Sequence, residues 1–180
     1  MINFHPELAH LRAFAEGTCP TNLALMISAH VDLCPRCQAI TMQAQEEAGL
    51  EVFSGRLNAA DPQPDFNDMM LQIMQTPDVQ APVDLGQDGQ ANFIYMEKGG
   101  RVPEHTHKGT EFTLVIDGQF SDGLADYDCG DFTIMDSTKK HMPFSEADEG
   151  CLVFTMVDKP LHFTSGLARL LNPFSQLFFK

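Results

Sequence analysis

Positive charge is scarce in this sequence of 180 residues: lysine and arginine number 11 against 25 aspartates and glutamates, a formal net charge of −14. The shortage is even, since residues 1–80 hold 3 basic and 10 acidic side chains and residues 81–180 hold 8 and 15, so each part carries −7. Such a surface repels phosphate and argues against direct binding to DNA or RNA. It suits a partner that is itself basic, such as a nucleic-acid-binding protein being masked, although acidity alone also keeps a protein in solution. Long apolar runs are missing too, with nothing near the ~18 consecutive apolar residues that cross a bilayer. The first 16 residues lack the basic start and apolar stretch of a secretory signal. A soluble, cytoplasmic protein is expected. Cysteine is sparse and odd in number (Cys19, Cys34, Cys37, Cys129, Cys151), which is no disulfide framework.

What is present is a globular composition, 43% apolar, arranged in two styles. The first part has helical periodicity. Pro6 to Glu16 places Leu8, Leu11 and Ala15 on one face and stops at Gly17. Thr21 stands as N-cap to a helix over Asn22 to Leu33, and Pro35 opens a third helix running to about Ala48, before Gly49. After a loop holding Pro62 and Pro64, the stripe Phe66, Met69, Met70, Ile73, Met74 predicts a short fourth helix. Its methionines suit either core packing or an adaptable docking face. Residues 77–90 have no periodicity and read as a linker. Beyond it come the predicted strands Asn92–Glu97, Glu111–Ile116, Asp131–Met135 and Cys151–Val157, punctuated by Gly99-Gly100, Asp117-Gly118, Asp122-Gly123 and Gly130. The expected fold is α+β in two separate domains: a small helical domain over 1–76 and an all-β barrel over 91–180.

His30-x-x-x-Cys34-x-x-Cys37 spans the junction of the second and third helices. Spacings of four and three place side chains on one helical face, so three soft or borderline donors converge. Zinc takes four such donors in a tetrahedron, and His5 and His10 are the local candidates for the fourth. A thioredoxin-like redox pair would need its cysteines to follow a strand, whereas here a helix precedes them. With His5 near the start, the stretch His30-Val-Asp-Leu-Cys34-Pro-Arg-Cys37 resembles the zinc-binding anti-sigma domain of bacterial transcription regulators. The resemblance implies that His5, His30, Cys34 and Cys37 bind zinc and that the helices clasp an extracytoplasmic-function-type sigma factor. His10 is then without a role.

The densest signal is Gly99-x5-His105-x-His107-x3-Glu111-x6-Gly118. Positions 105, 107 and 111 share strand parity, so two imidazoles and a carboxylate can face one way, a set suited to Zn²⁺, Fe²⁺ or Mn²⁺. His141, after the strand ending at Met135, can supply a fourth donor. The spacing resembles the first cupin motif at every defined position. The second is kept at Gly130 and His141, while Asp136, Thr138 and Ser145 stand where that family has proline, glycine and asparagine. His162 is read as a surface or satisfied core residue and Cys151 as buried, while Cys129, among Asp126, Asp128 and Asp131, should have a raised pKa.

An anti-sigma zinc domain joined to a cupin resembles the ChrR-type anti-sigma factors, and the stretches 158–163 and 172–174 look like that family's ending. The resemblance implies a regulator, not an enzyme. The helical domain would sequester the sigma factor, and the cupin, holding zinc or another ion such as iron or manganese, would be needed for release by singlet oxygen or related oxidants. The alternative is a metal-dependent cupin enzyme, a dioxygenase or isomerase, with an N-terminal zinc module. Against it, no general base stands out beyond the four donors of the site.

Overall fold

A computed structural model describes residues 1–56, 90–164 and 172. Three helices come first: α1 (Leu8–Ala15), α2 (Thr21–Leu33) and α3 (Pro35–Arg56). Gly17, at φ +71°, ends the first as expected. The cap of α2 differs: Pro20 takes the N-cap position and no side chain caps it, while Thr21 is already helical. α3 passes its expected end near Ala48 and runs to Arg56, because Gly49 costs a helix only about 1 kcal/mol. The predicted fourth helix and most of the linker lie outside the described residues.

Leu23, Met26, Ile27 and His30 are buried on α2, and Cys34, Cys37, Thr41 and Ala44 continue the series across the helix junction. Steps of three and four keep all eight on one face. Pro35 breaks the chain direction without breaking the stripe, since it needs no N–H at a helix start.

Among the described residues seven strands follow: β1 (Gln90–Met96), β2 (His105–His107), β3 (Glu111–Ser121), β4 (Asp126–Asp128), β5 (Phe132–Met135), β6 (Cys151–Val157) and β7 (Leu161–Phe163). The main sheet runs β1-β6-β3-β4, with β5 also paired to β3, and β2 and β7 form a second antiparallel pair. Asp117-Gly118 makes no turn. It lies inside β3 at a register shift against β6 between Val115 and Asp117, so the strand bends rather than ends.

Inside the main sheet β6 is buried on both faces, which explains its near-continuous apolar run Cys151–Val157, whereas β1 at the edge exposes Phe93 and Tyr95. On one face Phe112, Leu114, Phe132, Phe154 and Met156 pack with Leu11, Leu23, Met26, Ile27, Cys34 and Cys37, so helices and sheet share one core. The opposite residues, among them Glu111, Thr113, Thr133, Met135, Val153 and Thr155, line a cavity of about 60 Å³ closed by His105, His141 and Leu161. A helical unit followed by an all-β unit is the order the sequence predicts, and the two pack on one core.

Candidate metal centres

The stripe that buries α2 also aims the first donor set. His30 is wholly buried, as are Cys34 and Cys37, and His5 joins them from the extended segment before α1. One donor atom from each of the four lies within 4.8 Å of the others. His30 Nε2 is 3.3 Å from Cys37 Sγ, and His5 Nδ1 is 3.5 Å from both Cys34 Sγ and Cys37 Sγ. A tetrahedral zinc, ~2.3 Å from sulfur and ~2.05 Å from nitrogen, would hold such pairs about 3.5 Å apart. The donor set therefore fits that ion in kind, number and spacing. His10 is elsewhere, edge-on to Phe112 with its ring centroid 5.5 Å away.

The surroundings prepare these donors. His30 Nδ1–H donates to the Gly130 carbonyl at 2.7 Å, which fixes the tautomer and leaves Nε2 as a free lone pair. Burial lowers the His30 pKa, partly offset by that carbonyl, so the ring is neutral and able to ligate. Burial first, then the neighbouring Cys34, pushes the Cys37 thiol up to about 12. A cation between the sulfurs is what would bring them to the thiolate form.

The second set forms where β2 meets the bridge between His105 and His141. All three imidazoles are buried. His141 Nε2 lies 2.9 Å from His107 Nε2 and 3.0 Å from His105 Nε2. Nitrogens ~2.1 Å from a common ion are about 3.0 Å apart at right angles and about 3.4 Å apart at tetrahedral ones. The two separations thus suit nitrogens that would share one ion, and His105 and His141 also line the cavity. His105 Nδ1–H donates to the Pro103 carbonyl at 2.8 Å, again freeing Nε2. Burial, assisted by the neighbouring rings, lowers His105 to about 4 and His107 to about 3.

Glu111 stands apart from this trio. It begins β3 whereas His105 and His107 sit on β2, so the shared parity of 105, 107 and 111 does not run along one strand. Its carboxylate lines the cavity, with Oε2 3.8 Å from His107 Nδ1 and Oε1 accepting from the Thr113 hydroxyl at 3.2 Å. Burial raises it to about 7, against the pull of His141 and the Thr113 hydroxyl.

Sequence reasoning missed Asp122, read only as part of a turn. It is 1% exposed, accepts from the Leu124 and Ala125 amides and the Tyr127 hydroxyl, and sets Oδ2 3.7 Å from His141 Nδ1. Burial works against its charge, yet His141 and those three donors together hold its carboxyl below the usual range. Among the described residues His141 Nδ1 makes no hydrogen bond, so the carboxylate acts on it through space. An Asp-Gly pair signals a turn, and nothing local says that the turn folds under a tyrosine.

The remaining candidates stay outside both clusters. His162, on β7 opposite Thr106, is exposed. Cys151 is buried and its thiol is pushed up to about 11, chiefly by burial. The Cys129 thiol is also raised, by burial first and then by Asp117, Asp128 and Asp131, and it donates to the Ile116 carbonyl.

Residues 85–159 match the family model described as the ChrR cupin-like domain. The whole sequence is similar to the anti-sigma-E factor ChrR of Cereibacter sphaeroides, 26% identical over 211 aligned positions that span 98% of this chain and 99% of that protein. The similarity to ChrR runs along nearly the whole chain. Among solved structures, the ChrR-like fold superposes on that of ChrR in the crystal structure of Rhodobacter sphaeroides SigE in complex with the anti-sigma ChrR. The TM-score is 0.64 at 25% identity, covering 88% of this chain and 100% of that one. In this ChrR-like chain no helix among the described residues is long and apolar enough to cross a membrane.

Proposed function

We propose that this ChrR-like chain is an anti-sigma factor: its helical part sequesters an extracytoplasmic-function-type sigma factor, and its cupin part makes release responsive to singlet oxygen or related oxidants. The observation that carries the reading is the end-to-end similarity to ChrR, whose structure is known in complex with a sigma factor. It makes the chain a binder rather than a catalyst. Charge supports it, because a −14 chain is attracted to the basic surfaces with which sigma factors meet DNA. So does the helical surface, where Leu25, Leu33, Met42 and Leu50 are half-exposed or more. Residues 1–76 would carry the clasp, 77–90 the linker and 91–180 the sensor. A sigma factor works with RNA polymerase, so this reading carries a cytoplasmic location with it.

Within this reading His5, His30, Cys34 and Cys37 hold zinc as a closed structural centre. His105, His107 and His141 hold a second divalent ion (zinc, iron or manganese), with Glu111 as a further donor once the ion offsets the cost of its charge. An ion held there would supply Lewis-acid or redox chemistry to the cavity that His105, Glu111 and His141 line. Met96 and Met135, both lining the cavity, are oxidisable groups within reach of whatever enters.

The test is co-purification of the chain with the sigma factors of its host, followed by transcription from a sigma-dependent promoter. The chain should silence the promoter, and a singlet-oxygen generator should restore it. Release by about 100-fold in affinity requires about 3 kcal/mol of difference between the two states. Failure to retain any sigma factor would remove the anti-sigma reading; silencing that the oxidant leaves intact would remove the sensing part alone.

A further inference from the structure

The two halves meet at the N-terminal metal centre. Asp131 belongs to the β-unit, is fully buried, and uses Oδ1 to accept from the backbone N–H groups of Asn3 at 2.7 Å and Phe4 at 3.0 Å. Its Oδ2 accepts from the Asp128 amide at 2.8 Å, which fixes the carboxylate in its own loop. The Phe132 amide then donates to the Phe4 carbonyl at 3.1 Å. His5 is the next residue along the segment so held. One position earlier in the loop, the Gly130 carbonyl accepts from His30 Nδ1. Gly130 has φ +89°, and a Cβ there would lie 2.6 Å from the Ile2 side chain, so only glycine lets the segment approach so closely. Three consecutive residues of the β-unit thus position both histidines of a centre whose cysteines come from the helices.

We propose that Asp131 is a positioning residue for the N-terminal metal centre, and that through residues 130–132 the cupin half sets how tightly the helical half holds its ion. The inference rests on reading His5, His30, Cys34 and Cys37 as one metal centre. Residues that orient a ligand typically control metal affinity by 10–100-fold, and a charged acceptor holds an amide more strongly than a neutral one. Asp131→Asn keeps the shape and removes the charge. Asn3→Pro removes one of the two donated N–H groups from an exposed position and leaves the β-unit untouched.

The experiment uses the full chain loaded with cobalt(II), whose thiolate charge-transfer absorption reports the N-terminal centre alone, and follows metal loss to a chromogenic chelator. Asp131→Asn should release cobalt from the thiolate centre roughly 10–100-fold faster than the parent. Asn3→Pro should do so about 10-fold faster. The metal bound by the three histidines should leave at the parental rate in both, which general loosening of the fold would not allow. If Asp131→Asn fails to fold, Asn3→Pro decides. Parental release of the thiolate-bound ion from every folded variant would overturn the positioning role, and so would equal acceleration at both centres. A parent chain with no thiolate charge-transfer band would overturn the metal-centre reading itself, and the inference with it. That outcome is distinguishable because it appears before any substitution is made.

Discussion

The two donor clusters differ in how much of a coordination sphere the protein completes. The N-terminal one brings four donors from two helices and an extended segment, with three nitrogen–sulfur separations of 3.3 to 3.5 Å. The cupin one brings three nitrogens with separations of 2.9 and 3.0 Å and leaves a cavity on its open side. A closed tetrahedron with two sulfurs has structure as its natural role, while an open set of imidazoles has reactivity. Removing donors should therefore break the first as a fold and the second as a sensor.

The largest effect is expected from Cys34→Ser with Cys37→Ser. Two of four donors are lost from a centre at the heart of the shared core, so one metal equivalent should disappear from elemental analysis. The thermal midpoint should fall by more than about 10 °C, since the ion's binding energy is also folding energy. Sigma-factor binding should go with it. A double variant that keeps two metal equivalents would erase the contrast between the centres.

His107→Ala should act on the other side only. The cupin ion should be held at least ~100-fold more weakly, because one of three converging nitrogens is gone. The thiolate centre and silencing should persist, and release by singlet oxygen should fail. A variant that still responds to the oxidant while lacking the cupin ion would remove the three histidines from the sensing role.

Acid sharpens the comparison through protonation. In the metal-free chain His105 and His107 titrate near 4 and 3, below the ordinary 6.5 of the unfolded chain. The unfolded state thus binds protons first, and the contribution of these rings is fully present above about pH 6.5 and is lost as the pH falls toward 3. Glu111 has the opposite sign: raised to about 7, it favours the fold below about pH 4.5 and ceases to do so as the pH rises through 7. Denaturant titrations of metal-stripped protein should show stability declining from pH 6.5 to 4, less steeply in His107→Ala. Glu111→Gln should make that decline steeper, because it removes the one group of the three whose effect has the opposite sign. Unchanged slopes would mean that these groups are solvated.

The contrast also explains which parts of each site were legible in the sequence. His30, Cys34 and Cys37 announce themselves because steps of four and three mean one face in any helix, and the helix junction preserves the stripe. His5 could be narrowed only to a pair with His10, since its place is fixed by Asp131, 127 positions away from the Phe4 amide that it holds. The histidines of β2 obey strand parity. Glu111 does not share their strand, because residues 108–110 turn the chain before β3 begins, and periodicity carries no information across a turn. The helical and β-rich parts were readable by their differing periods. That they share one core was not, since the alternation of Phe112, Leu114, Phe154 and Met156 shows a buried face without naming what covers it.

The smallest effect separates direct ligands from the groups that tune them. Asp122 sets a buried carboxylate oxygen 3.7 Å from His141 Nδ1, too far for a hydrogen bond yet near enough for its charge to attract a cation held by that ring. Groups that stand behind a ligating imidazole in this way are worth 10–100-fold in metal affinity. The longer contact places Asp122→Asn at the low end, about 10-fold weaker for the cupin ion. Asparagine can still accept from the Leu124 and Ala125 amides, so the turn should survive. Competition titration of the cupin ion against a chelator of known affinity measures the change, with the thiolate band as an internal reference that should not move. A variant that loses the thiolate-bound ion as well would show Asp122 supporting the fold as a whole. No change at either centre would show that the Tyr127 hydroxyl and the two amides already neutralise its charge, leaving His141 to act alone.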